Sequence, residues 1–130
     1  MGSGFDNLVV YRRAVALANE LREAVLSWQS VDLWTAGVQA IRAADSIGAH
    51  IAEAMGRLTN RDQSRVLFIA RGSANELEHW LSVAESRGLQ VPDDGRQRAR
   101  EIGRMLNGLI GGLTRSAARA SRSKRLGTGN

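Results

Sequence analysis

LFIARGSANELEHWLSVA, residues 67 to 84, carries Leu67, Ala70, Ala74, Leu77, Leu81 and Ala84 at alternating steps of three and four. At 3.6 residues per turn these positions fall on one stripe, with charged and polar residues on the remaining faces, which is the pattern of a helix in a bundle seam. The same spacing recurs outward in both directions. Leu8, Tyr11, Val15, Ala18, Leu21, Val25 and Trp28 make a stripe in the first segment, and Val38, Ile41, Ala44, Gly48, Ile51 and Met55 make one in the second. Ile102, Leu106, Leu109 and Leu113 supply a fourth. No run of useful length has the two-residue period of a strand. Between the stripes lie stop and start signals: Ser30 or Asp32 to cap the second helix, Gly56 then Thr59-Asn60 to end it and begin the third, and Gly88 then Pro92-Asp93 before the fourth. Helices of about 25 residues run roughly 38 Å, and short connections make sequential helices antiparallel. The predicted fold is all-α, an up-down-up-down antiparallel four-helix bundle. Gly103, Gly108, Gly111 and Gly112 each cost the fourth helix about 1 kcal/mol relative to Ala, so either a close helix contact or a frayed end is expected there.

Composition bounds the rest. A chain of 130 residues, 43% hydrophobic, has enough apolar material for one core and is not of disordered type. Without cysteine it has no disulfide, thiol nucleophile or thiolate metal site. The start MGSGFD has no apolar signal core, and no apolar run approaches the roughly 20 residues of a membrane span, so a cytoplasmic protein with no membrane partner is expected. Residues 1–4 read as a cloning remnant, residues 5–114 as the bundle and residues 115–130 as a basic flexible tail. Charge divides at the same boundary: residues 1–114 hold 13 Arg against 13 Asp and Glu, while RSAARASRSKRLGTGN holds four Arg, one Lys and no acid. With Leu126 as its one large apolar residue, that tail buries too little to offset its ordering entropy and reads as a disordered basic arm suited to polyanions.

Three segments in order resemble a known family: FDNLVVYRRAVALANEL, then QAIRAADSIGAHIAEAMGRLTNRDQSRVLFIARGSANELEHWL, then EIGRMLNGLI. They resemble the four-helix-bundle proteins encoded in intervening sequences of bacterial 23S rRNA genes, over residues 5 to 113. Tyr11 stands where that family commonly has Trp, Gly48 where it has Pro, His50 where it has Asn and Ala54 where it has Gly. Gly48 still permits a bend and a close helix contact. The resemblance implies a bundle that assembles as a homo-oligomeric ring, commonly a pentamer, with no assigned catalytic activity and no cofactor. More distantly, the fold is similar to the accessory variability proteins of diversity-generating retroelements, basic pentameric bundles that bind nucleic acid and a reverse transcriptase.

Candidate chemistry is sparse. Glu76-x-x-His79 and His50-x-x-Glu53 have the spacing of di-iron bundle ligands. A turn near residue 59 sets residue 53 opposite about residue 65 and residue 76 opposite about residue 42, so the two motifs lie roughly 17 Å apart, and no metal site is expected. The same alignment pairs Arg42 with Glu76 as a structural ion pair that fixes register. Glu53 and Arg57 are spaced for a local helix pair. Ser64, Ser73 and Ser82 lack a His-acid partner set, and no catalytic residue is assigned. Arg57, Arg61 and Arg65 gather at the corner between the second and third helices, with Asp62 among them and Arg71 further along; Arg12 and Arg13 form a smaller basic pair. Together with Arg115, Arg119, Arg122, Lys124 and Arg125 of the tail, the corner is the candidate nucleic-acid surface, for RNA or DNA at low sequence specificity. The alternative is a protein-protein scaffold, with Trp34 and Trp80 as anchors and the arm on an acidic partner.

Overall fold

The computed structural model describes residues 4–126, which contain helices and no strand. Residues 1–3 and residues 127–130, on which parts of the expected N-terminal remnant and C-terminal tail fall, lie outside that range. A 3-10 turn, Phe5–Asn7, leads into α1, Val9–Val25. Helix α2 is one rod in three stretches: Ser30–Asp32 is α-helical, Leu33–Gly37 is a π-helical turn, and Val38–Met55 is α-helical again. Helix α3 spans Asn60–Ser86 and α4 spans Gly95–Arg125. The four touch in cyclic order, with α1 and α3 each packed on both α2 and α4.

Register follows from individual contacts. Ser46 Oγ meets Ser73 Oγ at 2.8 Å across α2 and α3, within one residue of the alignment expected from the turn near residue 59. Arg100 reaches Glu78 and Arg71 reaches Asn107 across α3 and α4, so numbers rise along one helix as they fall along the other. The connections explain why. Gly56 ends α2, and the Thr59 hydroxyl accepts the Asp62 N–H at 3.1 Å to cap α3. At the far end of α3, Gly88 takes φ +69° while its N–H bonds Glu85 O and that of Leu89 bonds Ala84 O, closing the helix in a Schellman motif. Asp94, at φ 52°, turns the chain into α4. Neither Ser30 nor Asp32 caps α2: the N-cap is Gln29, which makes no side-chain bond there, and Asp32 lies inside the helix with its carboxylate 3.5 Å from Arg87.

All six residues of the α3 stripe are buried, joined by Val66 and Ser73. In α1 the buried line runs through Val10, Ala14, Leu17, Leu21 and Val25, and Val15 is half-buried at its edge. In α2 the inward positions are Ala40, Ala43, Ala44, Ile47, Ile51 and Ala54, while Val38, Ile41 and Met55 are half-buried. Alanines take four of these inward positions, beside Ile47 and Ile51, where two helices approach α2 closely, and Val38, Ile41 and Met55 cover the flanks. Gly48 is one such approach, with Val15 Cγ2 3.4 Å from where a Cβ would stand. The irregularity in α2 falls at Leu33–Gly37 rather than at Gly48. It brings the Gly37 backbone so close to α1 that a Cβ there would lie 2.9 Å from Val25 Cγ1.

The tail differs most from expectation. Helix α4 continues without a break through Arg125, so residues 115–125 are helical rather than a disordered arm. Its Ala, Arg and Lys are good helix formers, and Arg122, Lys124 and Arg125 suit the negative end of the helix dipole. Every residue from 114 to 126 is exposed. Nor do the α4 glycines answer to close packing: a Cβ at Gly103 or Gly108 would meet nothing within 4 Å, and at Gly111 or Gly112 only the Arg115 side chain. Two opposite outcomes follow. Gly108→Ala stabilises the fold by about 0.5–1 kcal/mol through helix propensity, whereas Gly37→Ala destabilises it by about 1–3 kcal/mol through overpacking. Urea denaturation of both variants checks the pair, and a destabilised Gly108→Ala contradicts the open surface at that position.

Candidate nucleic-acid interface

The corner between α2 and α3 is tied down by its own hydrogen bonds. Gln63 Nε2 donates to Arg57 O at 3.0 Å, Thr59 caps α3, and Leu58 stands at the tip, 99% exposed. The corner's arginines are unequal. Arg57 bonds the Glu53 carboxylate one turn back and lies 3.5 Å from Asp62, while Arg65 pairs with Asp62 at 3.1 Å. The Arg57 hydrogen bond holds the Glu53 carboxyl below its ordinary range, and Glu53 in turn raises the Arg57 guanidinium. Arg61 is exposed and has no such partner among the described residues. Two of the three corner arginines are therefore locally compensated, and charge by itself makes the corner a weaker anion site than its composition implies.

The tail arginines come to the same end. From the Arg71–Asn107 contact at 3.0 Å, eight residues forward along α4 reach Arg115 and eight back along α3 reach Gln63. Arg115 is thus level with the corner, and beyond about residue 118 helix α4 outruns the start of α3 at Asn60. That overhang extends about 12 Å at 1.5 Å per residue and carries Arg119, Arg122, Lys124 and Arg125, all exposed. Every ion pair among the described residues uses an arginine of the body, Arg13, Arg57, Arg65, Arg87, Arg96, Arg98 or Arg100, and none uses a cation after residue 114. Seven of the thirteen body arginines are matched in this way, and the overhang keeps its charge open to solvent. Arg104, which sequence reading passed over, is also exposed and outside these pairs; its place on the outer stripe of α4, eleven residues before Arg115, was the available signal.

The remaining candidates are placed as follows. Arg42 and Glu76 line one shallow groove between α2 and α3 with Gln39, Ser46 and Ser73. They do not close an ion pair: Glu76 Oε2 accepts from Trp80 Nε1 at 3.4 Å, and the Ser46–Ser73 bond joins the helices beside them. His50 Nδ1 lies 2.8 Å from Ser46 O and 3.0 Å from Ser46 Oγ, and His79 stacks edge-on against Trp80. Arg12 donates to Asn7 O, and Arg13 pairs with Glu101. Among the described residues no cluster of three His, Asp or Glu is placed to hold a metal, and no helix is long and apolar enough to cross a membrane.

The opposite end of the bundle is aromatic. Trp28 Nε1 donates to Gln90 O at 2.8 Å, tying the α1–α2 turn to the α3–α4 connection. Trp34, projecting from the π-helical turn, is 73% exposed and shares a groove with Trp80, Val38 and Arg87. Near this end Arg98 grips Glu20 with two hydrogen bonds, at 2.8 and 2.7 Å, which lower the Glu20 carboxyl below its usual range and raise the Arg98 guanidinium. A lowered folded-state carboxyl contributes stability above its unfolded pKa and loses it as pH falls through the folded value. Arg98→Gln is therefore less stable than the parent near neutral pH, by about 0.2–1 kcal/mol for a pair this exposed. The gap narrows as pH drops below the ordinary carboxylate range, and a pH series of urea melts reads the trend.

A family model described as 23S rRNA-intervening sequence protein matches residues 6–108. A search of curated proteins returns no match. The matched span covers α1 to α3 and the first part of α4, and stops before the overhang.

Proposed function

The chain belongs to the 23S rRNA-intervening sequence protein family, and on that premise we propose that it is a non-catalytic, up-down-up-down bundle that binds RNA or DNA through its basic end. The observation that carries this reading is the division of charge. Seven of the thirteen body arginines pair with carboxylates, while Arg119, Arg122, Lys124 and Arg125 stand on an exposed overhang and Arg115 lies level with the corner that holds Arg61. Such cations act on phosphate without reading bases, so affinity is salt-dependent and sequence specificity low. In a cytoplasmic homo-oligomer, a pentameric ring as the family resemblance implies, several overhangs act together and weak contacts add through effective concentration. No catalytic group is assigned, and Arg42 and Glu76 keep a structural role at the α2–α3 groove.

The test is binding of labelled RNA and DNA to the full chain, freed of co-purified nucleic acid, at several salt concentrations, beside light scattering for oligomer size. Binding that weakens steeply with salt supports the reading; no binding at low salt removes it, and a monodisperse monomer removes the ring. One observation favours a second reading, a protein scaffold: Trp34 presents most of its surface to solvent at the end away from the overhang. Trp34→Ala then loses a protein partner while nucleic-acid binding stays intact.

A further inference from the structure

We propose that the outer face of α4 from Arg104 to Arg122 is one contact surface for the phosphate backbones of a nucleic-acid duplex, with Arg104 as its inner anchor; this rests on the nucleic-acid reading above. Arg104, Gly108, Gly111, Arg115, Arg119 and Arg122 follow one another at steps of four, three, four, four and three, which is a single helical stripe. It lies opposite the buried line of Ile102, Leu106 and Ile110. Its length is about 27 Å at 1.5 Å per residue. No Asp or Glu occurs after Glu101, and the Glu101 carboxylate is engaged by Arg13. Charge along the stripe is therefore of one sign.

Between Arg104 and Arg115 the stripe drops to the level of the backbone at its two glycines. A Cβ at Gly108 would meet open space, and one at Gly111 would meet only Arg115 Nη1, at 3.3 Å. Packing within the chain accounts for neither glycine, although each costs the helix about 1 kcal/mol. A phosphate-sugar ridge lying between Arg104 and Arg115 has room for close approach there.

The chemistry of the face selects the occupant. Gly95–Arg125 contains no Phe, Tyr, Trp or His, so it has no platform on which splayed bases of a single strand stack. On the neighbouring α3, Phe68 already has the Arg71 guanidinium 4.8 Å from its ring centre. Arg104 and Arg115 start about 16 Å apart along a rigid helix, a spacing that suits phosphates fixed on the two sides of a groove about 12 Å wide. A flexible single strand has to be ordered to meet the same points. The wide, shallow groove of an RNA helix and the major groove of DNA both present this arrangement, and the probes separate them.

The experiment measures salt-dependent binding of the full chain to an RNA duplex, a DNA duplex and an RNA single strand of equal length. The variants are Arg104→Gln, Gly108→Leu and the control Arg22→Gln, an exposed α1 cation off this face. Duplex is expected to bind more tightly than single strand. Arg104→Gln is expected to lower the slope of log affinity against log salt by about 0.9 on duplex, Gly108→Leu to weaken duplex binding, and Arg22→Gln to change neither. Thermal melts read the folding of each variant, and Gly108→Leu tests the surface independently of charge. Equal or tighter binding of the single strand overturns the duplex assignment. A parent-like slope in Arg104→Gln, or parent-like duplex binding in Gly108→Leu, overturns the extended surface while leaving binding by the overhang in place. If the parent binds none of the probes, the underlying reading fails and this one with it.

Discussion

Arg115→Gln, Arg119→Gln and Arg122→Gln combined reduce nucleic-acid affinity in proportion to the phosphates they neutralise and flatten its salt dependence. Removing three cations from the phosphate backbone lowers the slope of log affinity against log salt by about 2.7 on duplex DNA; between 50 and 200 mM salt, those three account for roughly a 40-fold change in affinity. The three side chains are exposed and outside the ion pairs of the body, so the melting temperature of the triple variant stays near that of the parent. Fluorescence anisotropy across a salt series reads the slope. An unchanged slope in a folded variant takes Arg115, Arg119 and Arg122 out of the binding surface. The corner arginines make a useful comparison: Arg57 and Arg65 already answer Glu53 and Asp62, so Arg65→Gln has a smaller effect than any single change on the overhang.

Leu77→Ala destabilises the fold by about 2–5 kcal/mol, a large fraction of the roughly 5–15 kcal/mol that holds a domain of this size. Leu77 is fully buried in the middle of the α3 stripe, with both neighbouring helices against its own, so the cavity left behind is enclosed. The tip residue Leu58, 99% exposed, is the matched control: Leu58→Ala stays within about 0.5 kcal/mol of the parent. A fall in the urea midpoint at constant m-value for Leu77→Ala, with none for Leu58→Ala, is the expected pair of results. A small effect at Leu77 is incompatible with its place in the core.

Four helices, their boundaries at Thr59 and Gly88, and the central seam of α3 are properties of local sequence, and they were legible for that reason. A 3.6-residue period in Leu67 to Ala84 admits one buried face; a Thr hydroxyl or a left-handed Gly ends a helix through bonds within a few residues. The division of charge between body and tail is likewise a matter of composition. Register between α2 and α3 also came close, because a short connection leaves little freedom.

Other features depend on what approaches from elsewhere in the fold. The inward turn of Ala40, Ala43 and Ala54, in place of Val38, Ile41 and Met55, reflects two neighbouring helices closing on α2, which a one-dimensional period cannot weigh. The π-helical turn at Leu33–Gly37 lies where α2 passes Val25 of α1 and Trp28 of the α1–α2 turn. Arg42 and Glu76 share a groove but not a bond, since facing positions on a helical net do not specify where long side chains end. Arg57 and Arg65 form a basic corner by composition, and only the folded positions of Glu53 and Asp62 offset their charge. Most consequential is the meeting of Arg115 with that corner. Residues 57 and 115 are far apart in sequence, and it is the antiparallel packing of α3 on α4 that brings the open charges to one end of the molecule.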